Sequence, residues 1–355
     1  MTRTSEYVAI GHPDKIADYI ASYILDRYID KDARSRVALE TQVKDNHVTL
    51  GGEVTSAYAM PDDELKRHVR DAICAIGYTP RYAAIWGAEN CIDPDNLDVV
   101  AHVGQQSPDI AQGVDADGWG DQGIFWGMAT GDESTGFMPL DHYLAKKLGM
   151  WLYECALKGS LMILIGLDIK TQVTVVDGAV KRVIVAAPVE DEDTRRTLQN
   201  DVWQWLRDNG HEIGWDDLVV NGTGAYVRHS SAGDCGTTGR KLAVDFYGGN
   251  CFIGGGCPWG KDATKADVTL NVYARKLALD YKRRSGQETV YCALDCCIGR
   301  REVGVVYYDG HMNELATGIV NRPASEIVAE LGLDRPVFAS LCRNGLFTAL
   351  GTEGA

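Results

Sequence analysis

What most constrains the fold of this chain is a repeated order of elements. Three times along its 355 residues an amphipathic helix is followed by two strand-like runs and then another helix, and internal repetition of that kind decides fold class better than any single segment. In the first unit Ile16, Ile20, Ile24 and Tyr28 recur at four-residue steps. "RVALETQV" and "HVTLGGEV" then read as strands joined at "KDN", and "DDELKRHVRDAICAIGY" sets Leu65, Val69, Ile73 and Ile76 at helical spacing behind acids that suit the helix dipole. The second unit runs "DHYLAKKLGMWLYECALK", strands "TQVTVV" and "KRVIVAAPV" about the turn "DGA", and the helix "EDEDTRRTLQNDVWQWLRDNG" closed by Gly210. Its Asp177-Gly178 pair is the strongest hairpin signal in the chain. The third has the helix "TKADVTLNVYARKLALDYKRR", strands "ETVYCALDCCIG" and "EVGVVYYDG", and a short last helix in "PASEIVAELGL". The expectation is a mixed α/β (α+β) fold of three similar helix–strand-pair–helix units, divided near 1–100, 101–220 and 221–355, with the chain crossing between them.

The segments between the units, 101–139, 221–241 and 248–265, are rich in Gly, Asp, Ser and Lys. On a rigid scaffold such irregular stretches usually carry the chemistry. The net charge of -15 and pI near 4.9 repel phosphate, which argues against nucleic acid or an anionic membrane as partner. A bound phosphate compound therefore needs a local cationic site or a metal. The ten cysteines form no C-x-x-C pair and no zinc-finger spacing, which suggests reduced thiols in a cytoplasmic protein. The longest apolar run, around "SLMILIGL", falls far short of the ~20 residues of a membrane span, and no signal-peptide pattern opens the chain.

Five stretches invite a chemical reading. In "GHPDK", Pro13 and Asp14 suit the first turn of a helix, which leaves His12 and Lys15 without a structural reason; a helix start can also hold phosphate, with Asp14 on a bridging metal. "GDCGTTGRK" combines glycines that let backbone approach a ligand with the adjacent cations Arg240 and Lys241, or else is a tight turn with solvated charges. Gly255 to Lys261 fits G-x-x-x-x-G-K, yet Asp262 stands where a P-loop needs Ser or Thr, and Pro258 and Trp259 stiffen the loop. What remains there is a Gly-rich loop with two lysines and two aspartates. "GQQSPDIAQGVDADGWGDQG" is a surface loop or a lid. Glu40 and Glu53 sit in strands, where Glu is disfavoured, so each faces water or a ligand.

Taken together, "GHPDKIAD", "LETQV...GGE", "GQQSPDIAQGVD", "GDQG", "DIKTQVT", "NGTG", "GDCGTTGRK", "GGG...GKDATKAD" and "YAR" resemble the S-adenosylmethionine synthetases, also called methionine adenosyltransferases, in order and approximate spacing over about residues 5–310. The resemblance implies three α/β units about a pseudo-threefold axis. It also implies a reaction in which the sulfur of L-methionine displaces triphosphate from C5′ of ATP, followed by cleavage of tripolyphosphate to pyrophosphate and phosphate.

Carried onto this sequence, the resemblance places His12 at the breaking bond, with Lys170, Arg240, Lys241 and Lys261 around the phosphates and Asp121 in the active-site set. Asp168, Tyr226 and Asp234 join the ATP contacts; Glu53, Gln106, Asp234 and Lys265 are implied for methionine. Asp14 and Asp267 are implied for magnesium, two ions per site, and Glu40 for potassium. Family sites form between two subunits, so a homodimer is implied, with a tetramer open. The chain departs from the family at Ile10, Ala225-Tyr226, Cys257-Pro258-Trp259 and Val268, in a shortened 104–123 segment and in the ending "GLFTALGTEGA". Two alternatives stay open: a non-catalytic nucleotide-binding homologue or regulatory subunit, and an enzyme that chiefly hydrolyses tripolyphosphate.

Overall fold

The structure, a computed structural model, describes residues 1–105 and 118–351. Its elements are β1 (Thr2–Val8), α1 (Pro13–Lys31), β2 (Arg36–Lys44), β3 (His47–Thr55), α2 (Asp62–Ile76), α3 (Pro80–Trp86), β4 (Asp98–Gly104), β5 (Gly123–Thr130), α4 (Leu140–Lys158), β6 (Lys170–Val176), β7 (Ala179–Ala186), α5 (Glu192–Asp208) and β8 (Leu218–Val220). The remainder is α6 (Ser230–Gly233), β9 (Gly236–Thr237), α7 (Leu242–Asp245), α8 (Ala266–Ser285), β10 (Thr289–Cys296), β11 (Glu302–Asp309), β12 (Glu314–Asn321), α9 (Ala324–Glu330) and α10 (Phe338–Asn344).

Three four-stranded sheets share one plan: β9-β2-β3-β4, β1-β6-β7-β8 and β5-β10-β11-β12. A hairpin forms the middle of each, and the strand on one side of it comes from a distant part of the chain. Thus β1 pairs antiparallel with β6, β5 with β10, and β9 with β2. The first two hairpins follow their turn chemistry, with Asp45, Asp177 and Gly178 at positive φ in tight two-residue turns. In the first two sheets the fourth strand is parallel and reached through helices, α2 and α3 before β4 and α5 before β8.

The third unit departs from the expected order. Its β12 is antiparallel to β11 and follows it directly, because Asp309 accepts the amides of His311 and Asn313 and turns the chain back without a helix.

One long helix lies against two strands of each sheet: α1 on β2 and β9, α4 on β1 and β6, α8 on β5 and β10. α1 and the first half of α8 are buried almost all round, which explains why Ile16, Ile20 and Ile24 have no exposure and why polar residues on the same helix must find partners. Among the described residues no helix is long and apolar enough to cross a membrane.

Candidate active site

β1 ends at Val8, opposite Lys170 at the start of β6, and Ala9 N–H donates to the Ile169 carbonyl at 2.9 Å. This pairing delivers the "GHPDK" segment to the Lys170 end of the second sheet. Tyr78 supports it from below, its hydroxyl donating to the Gly11 carbonyl at 2.7 Å while its ring meets Tyr82 edge-on. α1 begins at Pro13 with His12 as its cap, the Asp14 N–H donating to His12 Nδ1 at 3.1 Å. Because Nδ1 accepts, the neutral imidazole carries its proton on Nε2. Burial, helped by Lys170 and Lys241, lowers the His12 pKa to about 3, so the ring is neutral near pH 7.

The loop 233–241 lies directly on this helix start. Gly236 is required there, since a Cβ would come within 2.0 Å of the Pro13 carbonyl oxygen. Thr237 N–H donates to Asp14 Oδ1 at 2.9 Å, Lys241 Nζ lies 2.5 Å from Oδ2, and Arg240 Nε is 3.6 Å from Oδ1. Asp14 is 1% exposed. Burial alone would raise its carboxyl, but Lys241 and the Thr237 amide outweigh it and hold the group below the usual carboxylate range.

Asp168 accepts the Ser230 N–H at 2.9 Å; burial pushes it up to about 6, against the pull of that amide and of Lys170. Asp234 and Asp14 also act on Asp168, and Asp168 in turn adds to the burial that raises the Tyr226 hydroxyl. His12, Asp14, Asp168, Lys170, Tyr226, Asp234, Arg240 and Lys241 therefore gather in one place.

α8 starts in the same manner. Asp267, its second residue, accepts the Gly256 N–H at 2.6 Å and pairs with Lys261 Nζ at 2.5 Å. Lys265 is the cap residue and makes no capping hydrogen bond. Glu40 and Glu53 are exposed on β2 and β3, opposite Gly51 and Ala38. Asp121 is exposed just before β5, its carboxylate accepting the Gln122 N–H at 2.7 Å. Gln106 and most of the 104–123 segment fall outside the described residues. Among the described residues no hydrogen bond or ion pair joins the first set to Glu40, Glu53, Asp121, Lys261, Lys265 and Asp267.

Asp262 is not part of a phosphate loop: Oδ1 accepts the Val37 N–H at 2.9 Å and Oδ2 takes the amide and hydroxyl of Thr264, stapling the segment to β2. Three further residues that the motifs did not single out shape the site: Tyr82, Asp18 and Asp245. Tyr82 accepts the Leu167 N–H and donates to His229 Nε2 at 2.7 Å, fixing the loop that carries Asp168. Lys15 is buried between Asp18 and Asp245, and Trp259 donates to Asp245. The available signal was a Lys and an Asp three apart on a helix whose neighbours are apolar.

Asp14 and Asp267 each place one carboxylate oxygen on a backbone N–H and the other on a movable ammonium. Mg2+ takes hard oxygen donors, commonly one or two carboxylates with phosphate oxygens and water. The donor sets fit that ion bound together with phosphate; among the described residues no group of three His, Cys, Asp or Glu could hold a metal ion. Glu40, a single exposed carboxylate, fits one ligand of a larger cation such as K+.

The chain matches "S-adenosylmethionine synthetase, N-terminal domain" over residues 1–108, the central domain over 116–226 and the C-terminal domain over 229–353. It is 34% identical to the S-adenosylmethionine synthase of Zymomonas mobilis over 97% of this chain and 92% of that protein, and 36% identical to S-adenosylmethionine synthase 2 of Rhodospirillum rubrum over 97% and 91%. A solved structure described as an unusual S-adenosylmethionine synthetase from Campylobacter jejuni superposes with a TM-score of 0.85 at 30% identity, covering 97% of this chain and 94% of that one. With three successive family domains, full-length relatives and a shared fold in agreement, the chain belongs to the S-adenosylmethionine synthetase family.

Proposed function

We propose that the chain, an S-adenosylmethionine synthetase by family, joins L-methionine to ATP at the start of α1. The observation that carries this reading is the enclosure of one buried helix start by Lys170, Arg240 and Lys241 in a protein of net charge -15. That is the local positive field a triphosphate needs.

The methionine sulfur attacks C5′ of ATP, so the S–C5′ bond forms as the C5′–O bond breaks and the triphosphate leaves with the electron pair. A thioether has no proton to lose, so no general base is required. The protein's task is in-line positioning and stabilisation of charge on the leaving group. His12, held neutral, donates its Nε2–H to the triphosphate beside the breaking bond. Lys170, Arg240, Lys241 and Lys261 bind the phosphate oxygens, and the same groups serve the hydrolysis of tripolyphosphate, in which water takes up the phosphoryl group as a P–O–P bond breaks to give pyrophosphate and phosphate.

When bound, Mg2+ neutralises triphosphate charge; Asp14 and Asp267 would hold it, two ions per site, with K+ at Glu40. Asp168 and Asp234 contact the nucleoside end and Tyr226 stacks on adenine. Glu53 meets the methionine ammonium and Lys265 its carboxylate, with Gln106 and Asp234 beside them; Asp121 completes the set.

The two residue sets are complementary, and we assign them to one site closed by a second copy of the chain, a homodimer. Exposed Val100, Ile124 and Phe252 support a buried face near the second set. Ten free thiols support a cytoplasmic setting. The test is product formation: purified protein with ATP, methionine, magnesium and potassium yields S-adenosylmethionine and pyrophosphate, and absence of product above background would sink the reading. Lys170→Met removes one phosphate contact and lowers turnover about a hundredfold.

A further inference from the structure

Lys15 is the one cation of "GHPDK", yet its ammonium does not face the open site. It is 2.6 Å from Asp245 Oδ1 and 3.0 Å from Asp18 Oδ2, and it lies over the Trp259 ring at 4.5 Å from the centroid. Lys15, Asp18 and Trp259 are buried, and the side chain of Asp245 is 5% exposed. Each outer partner reaches a different glycine loop. Asp18 Oδ1 accepts the Gly239 N–H at 2.8 Å, immediately before Arg240 and Lys241; Asp245 Oδ2 accepts Trp259 Nε1–H at 2.8 Å, two residues before Lys261. The loops also touch directly, since a Cβ on Gly239 would lie 2.8 Å from Cys257 Cβ.

We infer that Lys15, Asp18, Asp245 and Trp259 form a buried relay that fixes the Arg240/Lys241 loop, which serves one site of the proposed dimer, relative to the Lys261 loop of the same chain, which serves the other, with Lys15 as a positioning residue that touches neither triphosphate. The inference rests on the proposed phosphate-binding roles of Lys241 and Lys261. A charged hydrogen bond in a dry site holds donor and acceptor to one geometry, and losing one misplaces both loops rather than one.

The test is lysine acetylation of the full-length protein read by mass spectrometry, with exposed Lys66 as reference. In the free protein Lys15 should react at least about tenfold more slowly than Lys66, because reagents need an accessible amine. Trp259→Phe keeps the ring and removes only the N–H; it should speed labelling of Lys241, on the other loop, as well as of Lys261, and weaken tripolyphosphate binding about tenfold, the loss expected for one charged hydrogen bond. Asp18→Asn, which keeps an acceptor for Gly239, should weaken tripolyphosphate about as much while leaving the methionine KM unchanged. Rapid Lys15 labelling that tripolyphosphate suppresses, or a Trp259→Phe effect confined to Lys261, would overturn the inference. If tripolyphosphate protects none of Lys170, Lys241 and Lys261, the functional reading fails instead, and the free-protein labelling of Lys15 and Lys241 still decides the relay.

Discussion

The starts of α1 and α8 solve one problem in two ways. Both place an Asp at the second helical residue, give it a backbone N–H from a glycine loop and set a lysine 2.5 Å away. Around Asp14 the chain closes completely: His12 caps the helix, Arg240 and Lys241 flank the carboxylate, and its side chain is 1% exposed. Around Asp267 it stays open: the side chain is 19% exposed, Lys261 is its one charged partner among the described residues, and the cap position carries Lys265, whose charge opposes the helix dipole. A helix start built against its own dipole gains little for folding. On the proposed reading its composition follows from the anionic substrate and the second copy assigned to it.

The two starts should therefore respond differently to the same change. Asp14→Asn strands Lys241 and a buried helix start, and should lower turnover a hundredfold or more together with stability by about 3 kcal/mol in urea unfolding. Asp267→Asn should cost about as much turnover while changing stability by no more than ~1 kcal/mol, as expected of a half-open pair. Equal stability losses in the two variants would break the comparison.

Acid should also distinguish them, because α1 is capped by an imidazole and α8 is not. Burial holds the folded pKa of His12 and His142 at about 3 and of His229 at about 4, below the usual 6.5. In that pH window the unfolded chain binds more protons, so stability is full above pH 6.5 and falls as the pH drops toward 4. Each imidazole contributes up to about 1.4 kcal/mol per pH unit. His12→Asn keeps a good cap and should remove one imidazole's share of that slope, measured as unfolding free energy from pH 7.5 to 5. Asp168 works in the opposite sense. Its folded pKa is raised to about 6, so stability declines as the pH rises from 4 through 6, and Asp168→Asn should stabilise the protein at pH 7.5 while weakening ATP binding.

The smallest stability effect belongs to Lys265→Met. Removing the cation from a helix start should leave stability equal or higher by up to ~1 kcal/mol, while the methionine KM rises about tenfold. A loss of stability would mean that Lys265 serves the fold.

Residue patterns made the repeat and its loops legible, because periodicity within a helix or hairpin is local. The "KDN" and "DGA" turns, the long helices and the glycine loops stand where their residues place them. Long-range pairing is not local, so nothing in "TRTSEYV" announces a partner in β6, nor "GIFWGMAT" one in β10. β12 was missed for a related reason: "ELATGIVN" alternates weakly and, among the described residues, one edge of it lacks a partner strand. Within the site, the glycines and cations were readable as residue types, but the division into two sets was not. The first turn of a helix gave Lys15 no structural reason; the carboxylates of Asp18 and Asp245 supply one.

The central claim is that the α1 set of one copy and the α8 set of another make one site. It is tested most directly by mixing two variants that are each inactive, Asp14→Asn and Asp267→Asn, co-expressed so that subunits pair at random. If the sites form across a homodimer, each mixed dimer carries one site with both changes and one with neither. Half of the sites in half of the dimers are then intact, and activity should return to about a quarter of the wild-type value. Activity no greater than the sum of the two variants measured separately would contradict the account.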